Sequence, residues 1–314
     1  MSKIIAVVGP TATGKSDLAV KLCKKFGGEV VSCDSMQIYK RMDIGTAKPT
    51  AREMDSVKHH LIDIFEPGTE YSVSDYVSDA SRVCEELNKR GVLPVFCGGT
   101  GLYISSFVSG LLFNDFTNDA TVRERIEMQA QELGIEALHN KLSEIDPEAA
   151  ENIAPNNVKR VIRAIEVYET TGVTISEWNR RTKLSAKKRD CLIIGLDYEN
   201  RDTLYGRIDM RVDKMLEAGL LEETRSLLED GVMQTKTASQ AIAYKELVPY
   251  LRGEDSLENC VEALKRNSRR YAKRQLTWFR RNGDIKWIYK DDKSDDEVFR
   301  IASLLVEDYL AEDK

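Results

Sequence analysis

Histidine and paired cysteine are scarce in this sequence. Its 314 residues contain three histidines and six cysteines, and no two cysteines form a C-x-x-C pair. Structural zinc sites usually combine four such ligands at close spacing, so neither zinc nor disulfide bonds are expected. Reduced thiols in a cytoplasmic protein are the expected state. We also recognise no signal peptide, internal repeat or low-complexity linker.

A membrane-spanning helix is not expected either. The segment from Gly91 to Asn114 carries no charge and is long enough to cross a bilayer. However, Pro94 and the run Gly98-Gly-Thr-Gly101 would interrupt a helix there, and three serines lower its hydrophobicity. A buried strand, a turn and a helix fit this segment better.

The composition is typical of a soluble enzyme. Hydrophobic residues make up 42% of the chain and charged residues 31%, with a formal net charge of −6. This length is sufficient for one large domain or two ordinary ones.

The strongest motif follows the apolar run Ile4–Val8 near the N-terminus. It has the G-x-x-x-x-G-K-[ST] pattern and consists of Gly9, Pro10, Thr11, Ala12, Thr13, Gly14, Lys15 and Ser16. A strand, this loop and a helix form a phosphate-binding P-loop, in which backbone N–H groups, the helix dipole and the lysine attract the anion. The serine hydroxyl can bind Mg²⁺. The sequence therefore predicts that a phosphorylated compound binds here.

Alternating strand and helix patterns predict an α/β fold with a P-loop parallel sheet flanked by helices. Strands are expected over 3–8, 29–33, 60–64, 92–97, 191–196 and 285–289. Helices are expected over 14–26, 51–58, 72–90, 101–111, 121–133, 135–142, 158–169, 200–218, 220–230, 239–251, 256–280 and 295–311. Because the pattern is wholly helical between about 113 and 190, we expect a catalytic core formed by 1–112 and 191–314 with an inserted all-helical domain, 113–190.

Positive charge is concentrated in two segments of this acidic chain. Residues 265–281 hold eight Lys and Arg side chains and no acid, and residues 180–189 hold a second basic cluster. A solvated helix face is one interpretation of the first segment. Two such clusters in an acidic protein favour binding of an extended polyanion.

The chain resembles the tRNA dimethylallyltransferases over nearly its whole length. Besides the P-loop, the resemblance rests on the following motifs: Asp34-Ser-Met-Gln37, Met42-Asp-Ile-Gly-Thr-Ala-Lys-Pro49, His59-His-Leu-Ile-Asp63, Gly98-Gly-Thr-Gly-Leu-Tyr103, Lys159-Arg160 with Arg163, Ser239-Gln-Ala-Ile-Ala-Tyr-Lys-Glu246 and Tyr271-Ala-Lys-Arg-Gln-Leu-Thr-Trp-Phe-Arg280. One departure is Ala243, where the family is expected to carry glycine. Since the sequence stops without the C-terminal zinc finger of eukaryotic relatives, we expect the bacterial form.

The resemblance implies transfer of a dimethylallyl group from dimethylallyl diphosphate to N6 of the adenosine at position 37, just 3′ of the anticodon. The P-loop would then hold the diphosphate rather than ATP, with Mg²⁺ as cofactor on Ser16. By resemblance, Asp34 is the general base, and Thr100 and Arg211 complete the catalytic residues. The target base must leave its stack to enter a pocket. The implied partners are the tRNA anticodon stem-loop and dimethylallyl diphosphate, with no membrane, for a cytoplasmic monomer.

The resemblance also assigns residues that contact the tRNA. They are Asp34, Ser35, Met36, Gln37, Thr100, Gly101, Arg123, Lys159, Arg160, Val161, Ile162, Arg163, Gln240, Tyr244, Lys245, Arg270, Lys273 and Arg274.

Several residues have a structural interpretation beside the functional one. Asp34 could cap the turn that follows it, and the pair His59 and His60 is expected to be structural. Asp197 is interpreted as a strand end in preference to a magnesium ligand, while Tyr39 and Tyr103 fit base stacking and core packing equally well. The motif residues Asp43 and Asp63 have no derived role.

Three other functions remain open on the sequence. An adenylate prenyltransferase acting on free nucleotides would share the P-loop and Asp34 but would not need two basic segments. A P-loop kinase of small molecules is favoured by the loop alone. A non-catalytic RNA-binding module is weakened because Lys15, Ser16 and Asp34 are all present.

Overall fold

The computed structural model describes residues 3–110, 120–235 and 238–312. The chain divides into two compact units. The first, here called the core unit, comprises Met1–Val108 and Arg189–Lys314, and the second, the helical unit, comprises Ser109–Lys188.

The core unit is built on a six-stranded parallel sheet. Its strands are β1 (Ile4–Val8), β2 (Gly28–Ser32), β3 (His59–His60), β4 (Leu93–Gly98), β5 (Cys191–Asp197) and β6 (Lys286–Tyr289). Their order across the sheet is β3-β2-β4-β1-β5-β6, and each neighbouring pair is parallel. The predicted α/β fold class is therefore confirmed.

Strand β1 lies in the middle of this sheet because its side chains are apolar on both faces. All five residues of Ile4–Val8 are buried, and the strand pairs with β4 on one side and β5 on the other. A continuous apolar run is what a parallel strand covered by helices on both faces requires. The loop after β1 consequently emerges at the carboxyl edge of the sheet, between two neighbouring strands.

The core unit also contains helices, some packed on the sheet and some packed on other helices. They are α1 (Lys15–Phe26), α2 (Ala51–Met54), α3 (Val73–Lys89), α4 (Gly101–Val108), α10 (Arg201–Glu217), α11 (Leu220–Glu229), α12 (Tyr244–Leu251), α13 (Leu257–Phe279) and α14 (Asp295–Ala311). Short 3-10 turns occur at Val232–Gln234 and Ala238–Gln240. No helix in the described part of the chain is long and apolar enough to cross a membrane.

The helical unit has its own apolar core. Its helices are α5 (Ala120–Leu133), α6 (Ile135–Ile145), α7 (Pro147–Asn152), α8 (Val158–Thr171) and α9 (Ile175–Ser185). Ile126, Leu142, Val161 and Ile165 are fully buried at its centre. The sequence predicted α5, α6 and α8 but not α7 and α9, which begin after the capping side chains of Asp146 and Thr174.

Residues with positive φ explain three element boundaries that were predicted wrongly. The expected strand 60–64 is reduced to His59–His60, since Leu61 and Asp63 have positive φ. The expected helix 51–58 ends at Met54, because Asp55 and Ser56 are also left-handed. The expected helix 239–251 begins only at Tyr244, after Ala243.

The helix expected over 101–111 ends at Val108. Residues 109 and 110 form a turn, in which Gly110 has a positive φ of 65°, and only residue 111 of that prediction lies outside the described residues.

Candidate active site

The P-loop follows β1 and leads directly into α1, as the motif predicts. Gly9 has φ 140°, and a Cβ there would come within 2.3 Å of the Leu196 carbonyl oxygen, so only glycine fits beside β5. Gly14 is the N-cap of α1 in the left-handed conformation, with φ 82°. The Thr13 hydroxyl donates to the Pro10 carbonyl at 2.9 Å and closes the loop.

Lys15 is folded against its own loop. Its Nζ donates to the Pro10 carbonyl oxygen at 2.6 Å. Burial of the ammonium group lowers the pKa of Lys15 to about 8, with Arg211 adding to the decrease and Cys97 and Asp34 opposing it. An anion at the loop would replace the carbonyl partner and favour the charged form.

Asp34 lies two residues beyond β2, at the carboxyl edge of the sheet. Its Oδ1 accepts from the backbone N–H groups of Met36 at 2.8 Å and Gln37 at 3.3 Å. The structural interpretation of this residue is thus correct, because Asp34 caps the turn that follows. The second oxygen lies outside this turn, and Asp34 lines the cavity described below.

Thr100 connects the turn after β4 to the Asp34 segment. Its hydroxyl accepts from the Ser35 N–H at 3.2 Å, and its own N–H donates to the Cys33 carbonyl at 3.1 Å. These bonds join the carboxyl ends of β2 and β4, so that Ser35 is held at a fixed distance from Thr100.

Arg211 reaches the site from α10. Burial lowers the pKa of its guanidinium from the usual value, while Asp34 and Glu53 oppose the decrease. Together with Lys15, Arg211 supplies two buried cations that can attract an anion, and Asp34 supplies one carboxylate.

One cavity of about 310 Å³ brings these groups together. Its polar lining includes Lys15, Ser16, Asp34 and Arg211, which come from three separate segments of the chain. Its apolar lining includes Met36, Ile208, Val212, Met215 and Leu264. A pocket with a cationic end and an apolar wall suits an organic diphosphate.

Two cavity residues on α13 were missed as site residues. The Gln275 amide accepts from the Thr11 N–H and donates to the Gly99 carbonyl, both at 3.0 Å. Burial raises the pKa of the Tyr271 hydroxyl to about 12, with Asp34 adding to the increase and Thr100 and Gln275 opposing it. Both residues belong to the quoted Tyr271–Arg280 motif, which was the only available signal.

The segment after Asp34 is braced from several directions. The Gln37 amide donates to the Thr46 and Ala47 carbonyls at 3.2 and 3.1 Å. Lys48 pairs with both Asp43 and Asp63, which gives those two carboxylates a structural role.

Glu223 of α11 supports the same segment. It accepts from the N–H groups of Asp43, Ile44 and Gly45 and from the Tyr244 hydroxyl, which donates at 2.7 Å. Its position far along the chain gave no sequence signal.

The residues predicted to contact tRNA differ in exposure. Exposed side chains are Lys159, Arg160, Gln240, Lys245, Arg270, Lys273 and Arg274. Partly exposed ones are Ser35, Met36, Gln37, Thr100, Arg123 and Arg163. Arg123 and Arg163 both pair with the buried carboxylate of Glu166 in the helical unit.

Three of these predictions disagree with the structure as side-chain contacts. Val161 and Ile162 are buried in the core of the helical unit, and Tyr244 is fully buried with its hydroxyl on Glu223. Gly101 is buried against the Trp278 ring. The side chains of Val161, Ile162 and Tyr244 fill space inside their own units, so the structure does not present them at the surface, while Gly101 could contact a ligand only through its backbone.

Not every cation of the basic segment 265–281 is free to bind phosphate. Three of its cations pair with carboxylates of α10 or β5: Lys265 with Asp213, Arg269 with Asp209 and Arg280 with Asp197. The helix itself has no acid in this stretch, but its neighbours supply the counter-charges.

The segment 180–189 is similarly engaged. Arg180 and Arg181 pair with Glu177. Arg189 donates to the Phe107 carbonyl and the Ser81 hydroxyl in the core unit. Arg189 thus has a structural role, contrary to the expectation of phosphate contact.

The remaining residues that had both a structural and a functional interpretation are in structural positions. Asp197 is fully buried and pairs with Arg201 at 2.8 Å, so its interpretation as a strand end is confirmed. His60 contacts Glu29 at 2.6 Å and is structural. Tyr39 and Tyr103 are both buried in the core. In the described part of the chain, no group of three or more His, Cys, Asp or Glu side chains could hold a metal ion.

Comparison with known proteins shows the family of this chain. The model of the IPP transferase family matches residues 37–282. A protein named tRNA dimethylallyltransferase from Caldanaerobacter subterraneus is 49% identical over 299 residues, which cover 95% of each chain.

Solved structures show the same likeness. A full-length tRNA isopentenylpyrophosphate transferase from Bacillus halodurans has 43% identity and a TM-score of 0.72, with 98% of each chain covered. A eukaryotic dimethylallyltransferase acting on tRNA has 29% identity and a TM-score of 0.83, with 98% of this chain and 80% of that chain covered.

Proposed function

Since the chain belongs to the IPP transferase family and is a tRNA-prenylating enzyme, we propose that its cavity joins dimethylallyl diphosphate to N6 of adenosine 37. The observation that supports this most directly is the shared cavity of Lys15, Asp34 and Arg211. It combines an anion site, a carboxylate and an apolar wall, which are the three environments that prenyl transfer needs.

The diphosphate would occupy the cationic end of the cavity. Lys15, Arg211 and the P-loop N–H groups would hold it and stabilise the charge that develops as the leaving group departs. The apolar wall on α10, formed by Ile208, Val212 and Met215, would receive the five-carbon prenyl chain. A P-loop used in this way binds diphosphate and not ATP.

Magnesium fits the donor set at this end. The cavity offers the Ser16 hydroxyl and, among the residues that the structure describes, no carboxylate cluster. Mg²⁺ characteristically takes one or two protein ligands together with phosphate oxygens and water. When bound, Mg²⁺ would supply additional positive charge to the leaving diphosphate.

Asp34 would act as the general base. The N6 nitrogen attacks C1 of the prenyl group, the C1–O bond breaks with its electron pair leaving on the diphosphate, and the N6 proton passes to the Asp34 carboxylate. Because Oδ1 is used in the turn, we assign proton acceptance to Oδ2. Thr100 acts by holding Ser35, next to Asp34, in place.

RNA binding is assigned to exposed cations in both units. In the helical unit they are Lys159 and Arg160, and on α13 they are Arg270, Lys273 and Arg274. Such side chains neutralise phosphates without reading sequence. The helical unit is thus proposed to be a tRNA-contacting domain.

The proposal is tested with labelled dimethylallyl diphosphate, Mg²⁺ and an unmodified anticodon stem-loop, followed by mapping of the label. Label on N6 of adenosine 37 is expected, and a stem-loop with guanosine at that position should stay unlabelled. AMP serves as a second acceptor. Transfer to AMP in preference to RNA would overturn the proposal in favour of a nucleotide prenyltransferase.

A further inference from the structure

Two cationic side chains contact the P-loop from outside the cavity. Lys290, directly after β6, donates to the Thr13 carbonyl at 3.0 Å. Arg207 of α10 donates through Nε to the Ala12 carbonyl at 3.1 Å. Neither is among the described residues that line the cavity.

These two hydrogen bonds fix the direction in which the Ala12 and Thr13 carbonyl groups point. In a trans peptide the C=O and the next N–H point in opposite directions, and the described residues contain no cis peptide bond. Holding the Ala12 carbonyl outward therefore turns the Thr13 N–H inward. Holding the Thr13 carbonyl outward does the same for the N–H of Gly14, the N-cap of α1.

We propose that Lys290, assisted by Arg207, is a positioning residue for the diphosphate: it fixes the P-loop peptides with their N–H groups toward the anion and adds positive potential from behind the loop. The inference rests on the proposed function, since it assumes that diphosphate is the anion. Lys290 acts through the Thr13 and Gly14 peptides and not by contact with substrate.

The location of Lys290 is unfavourable for stability alone. Its side chain is only 7% exposed, and removing an ammonium group from water is costly. The ammonium also lies beside the positive end of the α1 dipole, where a cation is repelled, and a Cβ on Gly14 would be 3.1 Å from its Nζ. Its hydrogen bonds to Thr13 and Asp295 offset part of this cost, and an anion bound at the loop would offset more of it.

A simpler explanation is that Lys290 serves only to pair with Asp295 at the start of α14. The ion pair exists, with an N···O distance of 2.8 Å, but the Asp295 side chain is 77% exposed. The hydrogen bond from Lys290 lowers the pKa of the Asp295 carboxyl, so the pair contributes to stability, but it does not account for the bond to Thr13. The two explanations predict different results for Asp295→Asn, which breaks the ion pair and keeps the Thr13 contact. If Lys290 served only the pair, this variant and Lys290→Met should change diphosphate binding equally.

The experiment is calorimetric titration of inorganic pyrophosphate with Mg²⁺, without RNA or prenyl donor, into four proteins. These are the wild type, Lys290→Met, Asp295→Asn and a matched control, Lys293→Met, which removes an exposed lysine three residues away. Loss of a hydrogen bond from a charged group should raise the Kd of Lys290→Met by about tenfold or more. The Asp295 and Lys293 variants should remain within about threefold of the wild type.

An unchanged Kd in Lys290→Met, or an equal increase in Asp295→Asn, would overturn the inference. The amide ¹H–¹⁵N signals of Thr13 and Gly14 provide a readout that a purely structural role would not move selectively. Should Lys290→Met fail to fold, Arg207→Met decides, because Arg207 is exposed. It should raise the Kd about threefold or more, and no change would contradict the inference.

The same titration separates this inference from the proposed function. A wild-type protein that binds pyrophosphate but transfers no prenyl group contradicts only the proposed function. A wild-type protein that prenylates RNA while Lys290→Met binds pyrophosphate normally contradicts only the inference.

Discussion

At the scale of single residues, one side chain can serve both the proposed chemistry and the local structure, as Asp34 does. Asp34 was predicted from its motif as a base, and the structure adds that one of its oxygens caps the next turn. The Gln275 bridge to Thr11 could not be predicted, because 264 residues separate the partners and sequence patterns report only near neighbours. Motifs identified the chemical groups, whereas long-range contacts that orient them required the fold.

Replacement of Asp34 by asparagine separates its two roles. The amide oxygen in Asp34→Asn can still accept from the Met36 N–H, so the turn should persist, but the proton acceptor is lost. We expect the single-turnover rate to fall roughly 10²–10⁴-fold with little change in substrate affinity. The matched control is Asp292→Asn, which makes the same substitution at an exposed carboxylate. A near-normal rate in Asp34→Asn would remove it from the mechanism.

The pKa of Lys15 predicts a pH dependence for diphosphate binding. Burial lowers this pKa to about 8, and the anion binds the protonated form. As pH rises above 8 the free protein loses that proton, so the Kd for pyrophosphate should increase up to about tenfold per pH unit. Lys15→Arg keeps its charge and should flatten the profile. A flat wild-type profile between about pH 7 and 9.5 would contradict this assignment.

Ala243 occupies backbone that suits glycine. Its φ of 96° and ψ of −46° lie outside the regions favoured by residues with a Cβ. Ala243→Gly should therefore raise the free energy of unfolding by about 1 kcal/mol, after allowance for the more flexible unfolded chain. Ala218→Gly is the control, because Ala218 has a right-handed φ of −80° and should be destabilised. If a denaturant titration gave the same change in the free energy of unfolding for both variants, the backbone at Ala243 would not be strained.

At the scale of elements, α13 combines three roles along one helix. Leu264 and Phe279 are buried, Tyr271 and Gln275 reach the cavity, and Arg270 is exposed. The sequence predicted the helix and its cationic character, since a spacing of four gathers charges on one face. It could not predict which cations are already paired, because their partners lie on α10 and β5.

This distinction predicts which cations determine the salt dependence of RNA binding. Replacing Arg270, Lys273 and Arg274 with alanine should reduce the slope of log K against log salt by about two to three units, roughly 0.7–0.9 for each phosphate that is no longer neutralised. Arg269→Ala should change the slope less, because Arg269 is paired with Asp209 at 2.6 Å. An unchanged slope in the triple variant would identify the exposed face of α13 as merely solvated.

At the scale of the whole molecule, the helical unit is an insertion whose two ends meet. The Arg189 N–H donates to the Val108 carbonyl at 2.8 Å, so the core chain resumes where it was interrupted. The sequence predicted the fold class because strand–helix alternation is a local pattern. It predicted β3 poorly because a two-residue strand depends on its neighbour β2 and not on its own periodicity.

The adjacent ends allow the helical unit to be removed cleanly. Replacing residues 109–188 with about four Gly and Ser residues should leave the core unit folded, since a linker of that length spans adjacent backbone. Pyrophosphate Kd should stay within about threefold of the full chain, while stem-loop affinity should fall at least about tenfold. Full retention of RNA affinity would show that the core unit alone binds RNA.

The Gln275 bridge also bears on how the protein is made. Thr11 leaves the ribosome early, but its partner follows 264 residues later, and Lys290 later still. Translation proceeds at about 5–20 residues per second, so Gln275 is synthesised roughly 13–50 s after Thr11. A nascent chain therefore carries an intact motif without a complete site. Competence for the donor diphosphate is acquired near the end of translation.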